Sequence, residues 1–270
     1  MKRTIFFLSD STGITVEDLG HSLLSQFKEI DFEKITIPYI NSIENAHDAA
    51  KKIHQICKST KTKPLIFSSL VEPKTREIIA KCDGFIIDIF DIFIPLLTKE
   101  LKIEPTKDVG KTHGVFDIKT YETRIDAVHF AIDSDDGSNI KSYNMADIIL
   151  VGVSRCGKTP TCLYMALQFG IYSANYPITE EDMLSNTLPK VLLPHRDKLF
   201  GLVISPQRLH AIRKERKPDS RYASLKQCRL ELDQTEEMFK KAHIPYLNST
   251  TFSIEEISTK IIAAADIERH

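Results

Sequence analysis

The chain has 270 residues, of which 42% are hydrophobic, with 36 basic and 37 acidic side chains. That length and apolar content can bury one large core or two modest ones, and nothing in the composition points to disorder or a fibre. A formal net charge of −1 speaks against a general nucleic-acid or anionic-membrane binder, whose affinity would rest on excess positive charge. The apolar run in M-K-R-T-I-F-F-L-S-D-S-T-G is broken by Ser9 and Asp10 before it could form a signal core or a span, so a cytoplasmic protein without a membrane or nucleic-acid partner is expected. Five cysteines, Cys57, Cys82, Cys156, Cys162 and Cys228, include no C-x-x-C pair and read as reduced, mostly packed thiols.

In chain order, the first hundred residues alternate strand-like and helix-like segments. T-I-F-F-L-S from Thr4, I-T-I-P-Y-I from Ile35, P-L-I-F-S-S-L from Pro64 and G-F-I-I-D-I-F from Gly84 are short apolar runs of strand length. After the first of them, Thr15 reads as the N-cap of a helix with Asp18 three residues on, and Val16, Leu19, Leu23 and Phe27 form its apolar face. Ser9, Ser11, Thr12 and Gly13 then fall at the carboxyl end of a strand, where they either bind a ligand or only cap that helix. Ile43, Ala46, Ala50, Ile53 and Cys57 mark the buried face of a second helix. Alternation of this kind implies a parallel sheet covered on both faces. The prediction is an α/β protein with a Rossmann-like parallel-sheet domain over residues 1–105.

From 106 to 144 the pattern weakens into a connecting segment with one helix around Tyr121 to Ile132 and the turn-rich D-S-D-D-G-S-N. A second α/β alternation fills 145–270: a strand from Ala146 to Val153, a helix after Thr159, strands in I-Y-S-A-N-Y-P-I, L-F-G-L-V-I-S and I-P-Y-L-N-S-T, and helices from Pro206, Ala223 and Ser253.

Gly152, Val153, Ser154, Arg155, Cys156, Gly157, Lys158 and Thr159 satisfy G-x-x-x-x-G-K-[ST], with a buried strand before and an amphipathic segment after. Glycines let backbone N–H groups turn toward a phosphate, Lys158 supplies a mobile charge, and the Thr159 hydroxyl is offered to magnesium. Pro160 sits where a helix loses nothing by lacking an N–H. This is a P-loop kinase-like domain. Arg155 is either a phosphate contact or a solvated side chain, and Cys156 reads as a small filler rather than a nucleophile.

The basic run R-L-H-A-I-R-K-E-R-K-P-D-S-R-Y offers Arg213 and Arg216 to neutralise charge on a moving phosphoryl group, or else forms a solvated helix face. Neither S-A-N-Y-P-I nor L-F-G-L-V-I-S ends in the aspartate that an ordinary motor ATPase or GTPase would place beside the metal. His113 and Asp117 in T-H-G-V-F-D, and Asp135 and Asp136 in D-S-D-D-G, are the nearest candidates for a base or a metal carboxylate.

S-D-S-T-G, T-H-G-V-F-D, D-D-G, the run from Ala146 to Pro177, L-F-G-L-V-I-S-P-Q-R-L-H-A-I-R-K-E-R, S-R-Y-A-S-L-K-Q-C and the segment from Ile244 to Ile261 together resemble the bacterial kinase/pyrophosphorylase family, over essentially the whole chain. The resemblance implies a regulator that moves phosphate from ADP to an active-site threonine of phosphoenolpyruvate synthase and removes it again with inorganic phosphate, releasing pyrophosphate. It would place ADP on Gly152 to Thr159, with magnesium on Thr159. The full G-K-T signature favours the synthase over pyruvate, phosphate dikinase as target. A small-molecule kinase and a nucleotide sensor without catalysis are the rival readings, and an apolar helix face or open sheet edge would support a homodimer.

Overall fold

A computed structural model describes residues 2–60, 62–106, 118–185 and 187–267. The chain divides into two compact units, residues 1–116 and 117–270, each built on its own four-stranded sheet.

In the first unit, β1 (Lys2–Leu8), β2 (Asp31–Ile37), β3 (Leu65–Ser68) and β4 (Phe85–Asp88) are all parallel, in the order β2-β1-β3-β4. The helices are α1 (Ile14–Leu24), α2 (Ile43–Thr60), α3 (Pro73–Ala80) and α4 (Ile89–Leu101). Period-two alternation in β1 sends Phe6 and Leu8 into one core with Ala46, Ala49 and Ile53 of α2, and Ile5 and Phe7 into another with Val16 and Leu24 of α1. The sheet is therefore covered on both sides, as its near-continuous apolar strands predict.

Some details differ from the sequence reading. Helix α1 is capped by Gly13 in a left-handed conformation (φ 85°), not by Thr15. Its buried face is Val16, Gly20 and Leu24, while Leu23 and Phe27 are exposed. The reason is Gly20, where an added Cβ would stand 2.3 Å from the Phe7 ring, so the helix lies close against β1. Ile43 of α2 is likewise exposed. The run G-F-I-I-D-I-F does not continue as strand. The Asp88 carboxylate accepts the N–H groups of Phe90 (3.0 Å) and Asp91 (3.1 Å), which ends β4 and starts α4.

In the second unit, β5 (Ile148–Gly152), β6 (Ser173–Pro177), β7 (Leu199–Val203) and β8 (Tyr246–Asn248) are again parallel, in the order β6-β5-β7-β8. The helices are α5 (Ile118–Asp133), α6 (Lys158–Phe169), α7 (Glu180–Ser185), α8 (Pro206–Arg216), α9 (Leu225–Ala242) and α10 (Ile254–Ala264). Helix α5, read from sequence as part of the connection, packs on α6 through a core that includes Ala127, Phe130 and Cys162. Gly201 in β7 leaves room for the Phe239 ring of α9, which an added Cβ would meet at 2.5 Å. Ser253 and Glu256 form a reciprocal capping box at the start of α10. Among the described residues, no helix is long and apolar enough to cross a membrane.

Candidate active site: the loop between β5 and α6

The order β6-β5-β7-β8 makes the gap between β5 and β7 the point where chain connections leave in opposite directions, and open α/β sheets bind ligands beyond the strand ends there. Gly152 to Thr159 occupies that position. Gly152 is required by packing, because a Cβ would lie 2.3 Å from the Leu202 carbonyl oxygen and 2.9 Å from Cys156 Sγ. Arg155 (φ 75°) and Gly157 (φ 99°) are both left-handed, turning the chain into a cradle that leads into α6. Gly157 caps α6 with no side-chain hydrogen bond, which leaves the partial positive charge of that helix end facing the cradle.

Lys158 is buried and donates from Nζ to the Val153 carbonyl at 3.1 Å, across the loop. Thr159 Oγ1 donates to Asp135 Oδ1 at 2.7 Å. The same carboxylate oxygen accepts Asn175 Nδ2 at 2.6 Å, and Asn175 Oδ1 in turn accepts the Asp136 N–H at 3.1 Å. Asn175 is fully buried on β6, so it fixes the turn that carries both aspartates. That turn is a short 3-10 helix, Asp135–Gly137, with left-handed Asp136 and Gly137. Asp135, Asp136, Arg155, Lys158, Thr159 and Arg216 line one cavity of about 490 Å³, together with Ser154, Gly157, Pro160 and Ile212. This is the size range of small-ligand sites.

The two arginines of the basic helix separate. Arg216 reaches the cavity wall. Arg213 is fully buried instead: its guanidinium donates to Glu231 Oε2 at 2.7 Å, to the Ser154 carbonyl at 3.1 Å and to the Tyr222 carbonyl at 3.1 Å, and stacks 4.1 Å from the centre of the Tyr222 ring. It holds the loop from beneath and does not face the cavity. Gln227 Nε2 donates to the second Glu231 oxygen at 3.0 Å, and Ser154 Oγ lies 3.1 Å from Tyr222 Oη. Cys156 is buried and burial pushes its thiol pKa up, so a thiolate nucleophile is not favoured there. The Ser249 hydroxyl lies 3.2 Å from the Cys156 carbonyl and 3.1 Å from that of Val203, tying the loop to β7.

His113 and Asp117 lie outside the described residues. β7 runs out through Ile204 to Ser205, the N-cap of α8, and holds no carboxylate. The carboxylate against the loop comes instead from Asp135, 24 residues before Thr159. Nothing in the sequence singles out Asn175 or Glu231, an ordinary amide and an ordinary helix glutamate there, and only their burial reveals their roles.

The first unit holds its hydroxyl-rich turn differently. Ser9 Oγ accepts the Ser11 N–H (3.1 Å), Asp10 Oδ2 accepts the Val71 N–H (2.8 Å), and the Ser11 and Ser9 carbonyls accept the N–H groups of Tyr39 and Ile40. The turn ties the ends of β1, β2 and β3 together and does not cap α1 through a side chain. Burial pushes the Asp10 carboxyl above its ordinary pKa.

Comparison with known proteins gives the family. Residues 5–262 match the family described as Kinase/pyrophosphorylase. A protein of Legionella pneumophila (strain Corby) is 54% identical over 269 residues, covering all of this chain and 99% of its own length. One from Hahella chejuensis is 53% identical, with 100% and 99% covered, and one from Marinobacter nauticus is 51% identical over the full length of both. Each of the three carries the curated name "Putative phosphoenolpyruvate synthase regulatory protein". With the match spanning both units and the Gly152–Thr159 loop, the chain belongs to the kinase/pyrophosphorylase family.

Proposed function

We propose that this protein regulates phosphoenolpyruvate synthase by reversible phosphorylation of an active-site threonine. In one direction, as a serine/threonine-protein kinase, the β-phosphoryl group of ADP passes to the threonine oxygen, AMP leaves, and the threonine proton is released to a base. In the other, as a pyrophosphorylase, an oxygen of inorganic phosphate attacks the phosphothreonine phosphorus, the threonine is restored, and pyrophosphate leaves. The observation that carries this reading is the Gly152–Thr159 cradle with Asp135 bonded to Thr159, in a chain whose full-length relatives bear the synthase regulator's name.

The residues fit both ligands. Left-handed Arg155 and Gly157 and the uncapped start of α6 suit a diphosphate. Thr159 Oγ1 and Asp135 are hard oxygen donors of the kind magnesium accepts alongside phosphate oxygens. Magnesium held there would neutralise charge on the phosphoryl group being moved. Lys158, Arg155 and Arg216 supply the protein's own positive charge at the cavity. Asp136, exposed and lining the same cavity, is the carboxylate placed to take the threonine proton. The two directions use one cradle, because the leaving group of one and the attacking group of the other are both phosphates.

Related chemistry on pyruvate, phosphate dikinase is the second reading, favoured by nothing specific in this site. A small-molecule kinase would need only the second unit, whereas similarity to the relatives runs through both. The reaction is proposed to run in the cytoplasm. Lys158→Met tests the loop: phosphorylation of the synthase should fall below detection, and full transfer by the variant would overturn the assignment.

A further inference from the structure

Helix α8 carries charge that its own fold does not use. Residues 206–217 place Arg208, Lys214, Arg216 and Lys217 on the surface beside one acid, Glu215, in a chain whose formal net charge is −1. Exposed lysines elsewhere are paired, Lys2 with Glu33, Lys51 with Asp48, Lys63 with Asp83 and Lys240 with Glu236, whereas among the described residues no carboxylate pairs with these four cations. The negative end of the helix dipole accounts for Lys214, Arg216 and Lys217, at or just beyond the last turn. It does not account for Arg208, which stands in the first turn, where a cation is disfavoured. Arg208, Ile212 and Arg216 recur four residues apart and so share one stripe, and the last two line the cavity of the Gly152–Thr159 loop. Arg155, exposed, stands at the same cavity. The stripe is held firmly, because the Ser205 side chain caps α8 at the Arg208 N–H (3.3 Å) and Leu209 and Arg213 behind it are buried.

We propose that this stripe, with Lys214 and Lys217 beside it, is where the protein substrate docks, through an acidic face of its own surface. The proposal rests on the reading above that the phosphoryl acceptor belongs to another protein. A threonine on a folded protein reaches the cavity only if the surface around it lies against the cavity rim, and the α8 side of that rim is basic. Exposed cations without partners add little to the fold. They do speed encounter with an acidic partner and turn away a basic one. A field confined to the cavity mouth also suits a chain with no overall positive charge. Nucleic acid fits this face less well, since residues 206–217 include no Phe, Tyr or Trp on which a base could stack.

The test measures two things on the full chain: binding of purified phosphoenolpyruvate synthase without nucleotide, at low and at high salt, and the kinetics of phosphothreonine formation on it. Arg208→Glu combined with Lys214→Glu should weaken binding and lower kcat/KM for the synthase by about 10- to 100-fold at low salt. The loss should lie in KM, with kcat at saturating synthase, the ADP titration and the melting temperature kept, because both side chains are exposed and neither lines the cavity. Wild-type binding should fall with salt, and the variant should show a shallower fall. Arg208→Lys with Lys214→Arg should behave as wild type. So should Lys240→Glu with Lys241→Glu, the same change of net charge at the end of α9 that leads into the start of β8, across the sheet from the loop. A double reversal that binds as wild type, while the wild type phosphorylates the synthase, would overturn the docking surface and leave the proposed function standing. A wild type that neither binds nor phosphorylates the synthase would remove both. Weaker ADP binding or a lower kcat in the double reversal would put these residues in the transfer step and overturn the proposal, as would a tighter hold on a single-stranded oligonucleotide than on the synthase.

Discussion

Replacing Asp135 by Asn separates the charge of this residue from its hydrogen bonds. An asparagine has almost the same shape, and its Oδ1 still accepts from Thr159 Oγ1 and Asn175 Nδ2, now at 2.7 and 2.6 Å. Folding should therefore change little, within about 1 kcal/mol for an exchange that keeps both bonds. What is lost is one negative charge beside the position of a divalent cation. Unit charges about 4 Å apart interact by roughly 4 kcal/mol at the effective dielectric of a protein surface. With screening by phosphate and water, about 2–4 kcal/mol should survive, or roughly 30- to 800-fold in affinity. The assay is calorimetric titration of ADP with and without magnesium. For the wild type, magnesium should strengthen binding. For Asp135→Asn that increment should collapse, while ADP alone binds no more weakly, since the diphosphate now meets a more positive cavity. If the magnesium increment survives in the variant, Asp135 is not the metal carboxylate, and the link from Thr159 to the missing carboxylate fails with it.

Glu231→Ala should lower stability by about 3–5 kcal/mol, because it leaves the Arg213 guanidinium buried beneath the loop without its counter-charge. Scanning calorimetry should show this as a drop of about 10 °C in the melting of the second unit, and Arg213→Met with Glu231→Leu should recover most of it. A loss of activity in Arg213→Met/Glu231→Leu with a wild-type melting temperature would mean that Arg213 touches substrate after all. Gly152→Ala must push β5 from β7, given the 2.3 Å approach to the Leu202 carbonyl. The expected cost is about 1–3 kcal/mol, with ADP binding weakened by loop displacement; unaltered melting and binding would show that the cradle tolerates a Cβ.

Much of the fold could be read from residue pattern. Continuous apolar runs in β1, β3, β5 and β7 signal a parallel sheet because both of their faces are covered. Thr15 looks like the cap of α1 in sequence, but the left-handed turn falls to Gly13 two residues earlier. The end of β4 is hidden in sequence because Ile89 and Phe90 prolong an apolar run that Asp88 converts into a helix. At the site, G-V-S-R-C-G-K-T announces itself since phosphate binding needs those residues in a local order. Asp135 is legible only as one of several candidate carboxylates, and Asn175 and Glu231 not at all, because their partners lie 24, 40 and 18 residues away and the pairing depends on the fold. Arg213 and Arg216 sit one turn apart in the same basic run, yet only the fold decides that one is buried against Glu231 and the other faces the cavity.

The most direct measurement is mass spectrometry of purified phosphoenolpyruvate synthase, its catalytic histidine phosphorylated beforehand, after incubation with this protein, magnesium and either ADP or ATP. The account predicts phosphothreonine with ADP and not with ATP, erased by inorganic phosphate with release of pyrophosphate. Phosphothreonine formed from ATP alone, or no modification while ADP binds tightly, would contradict it.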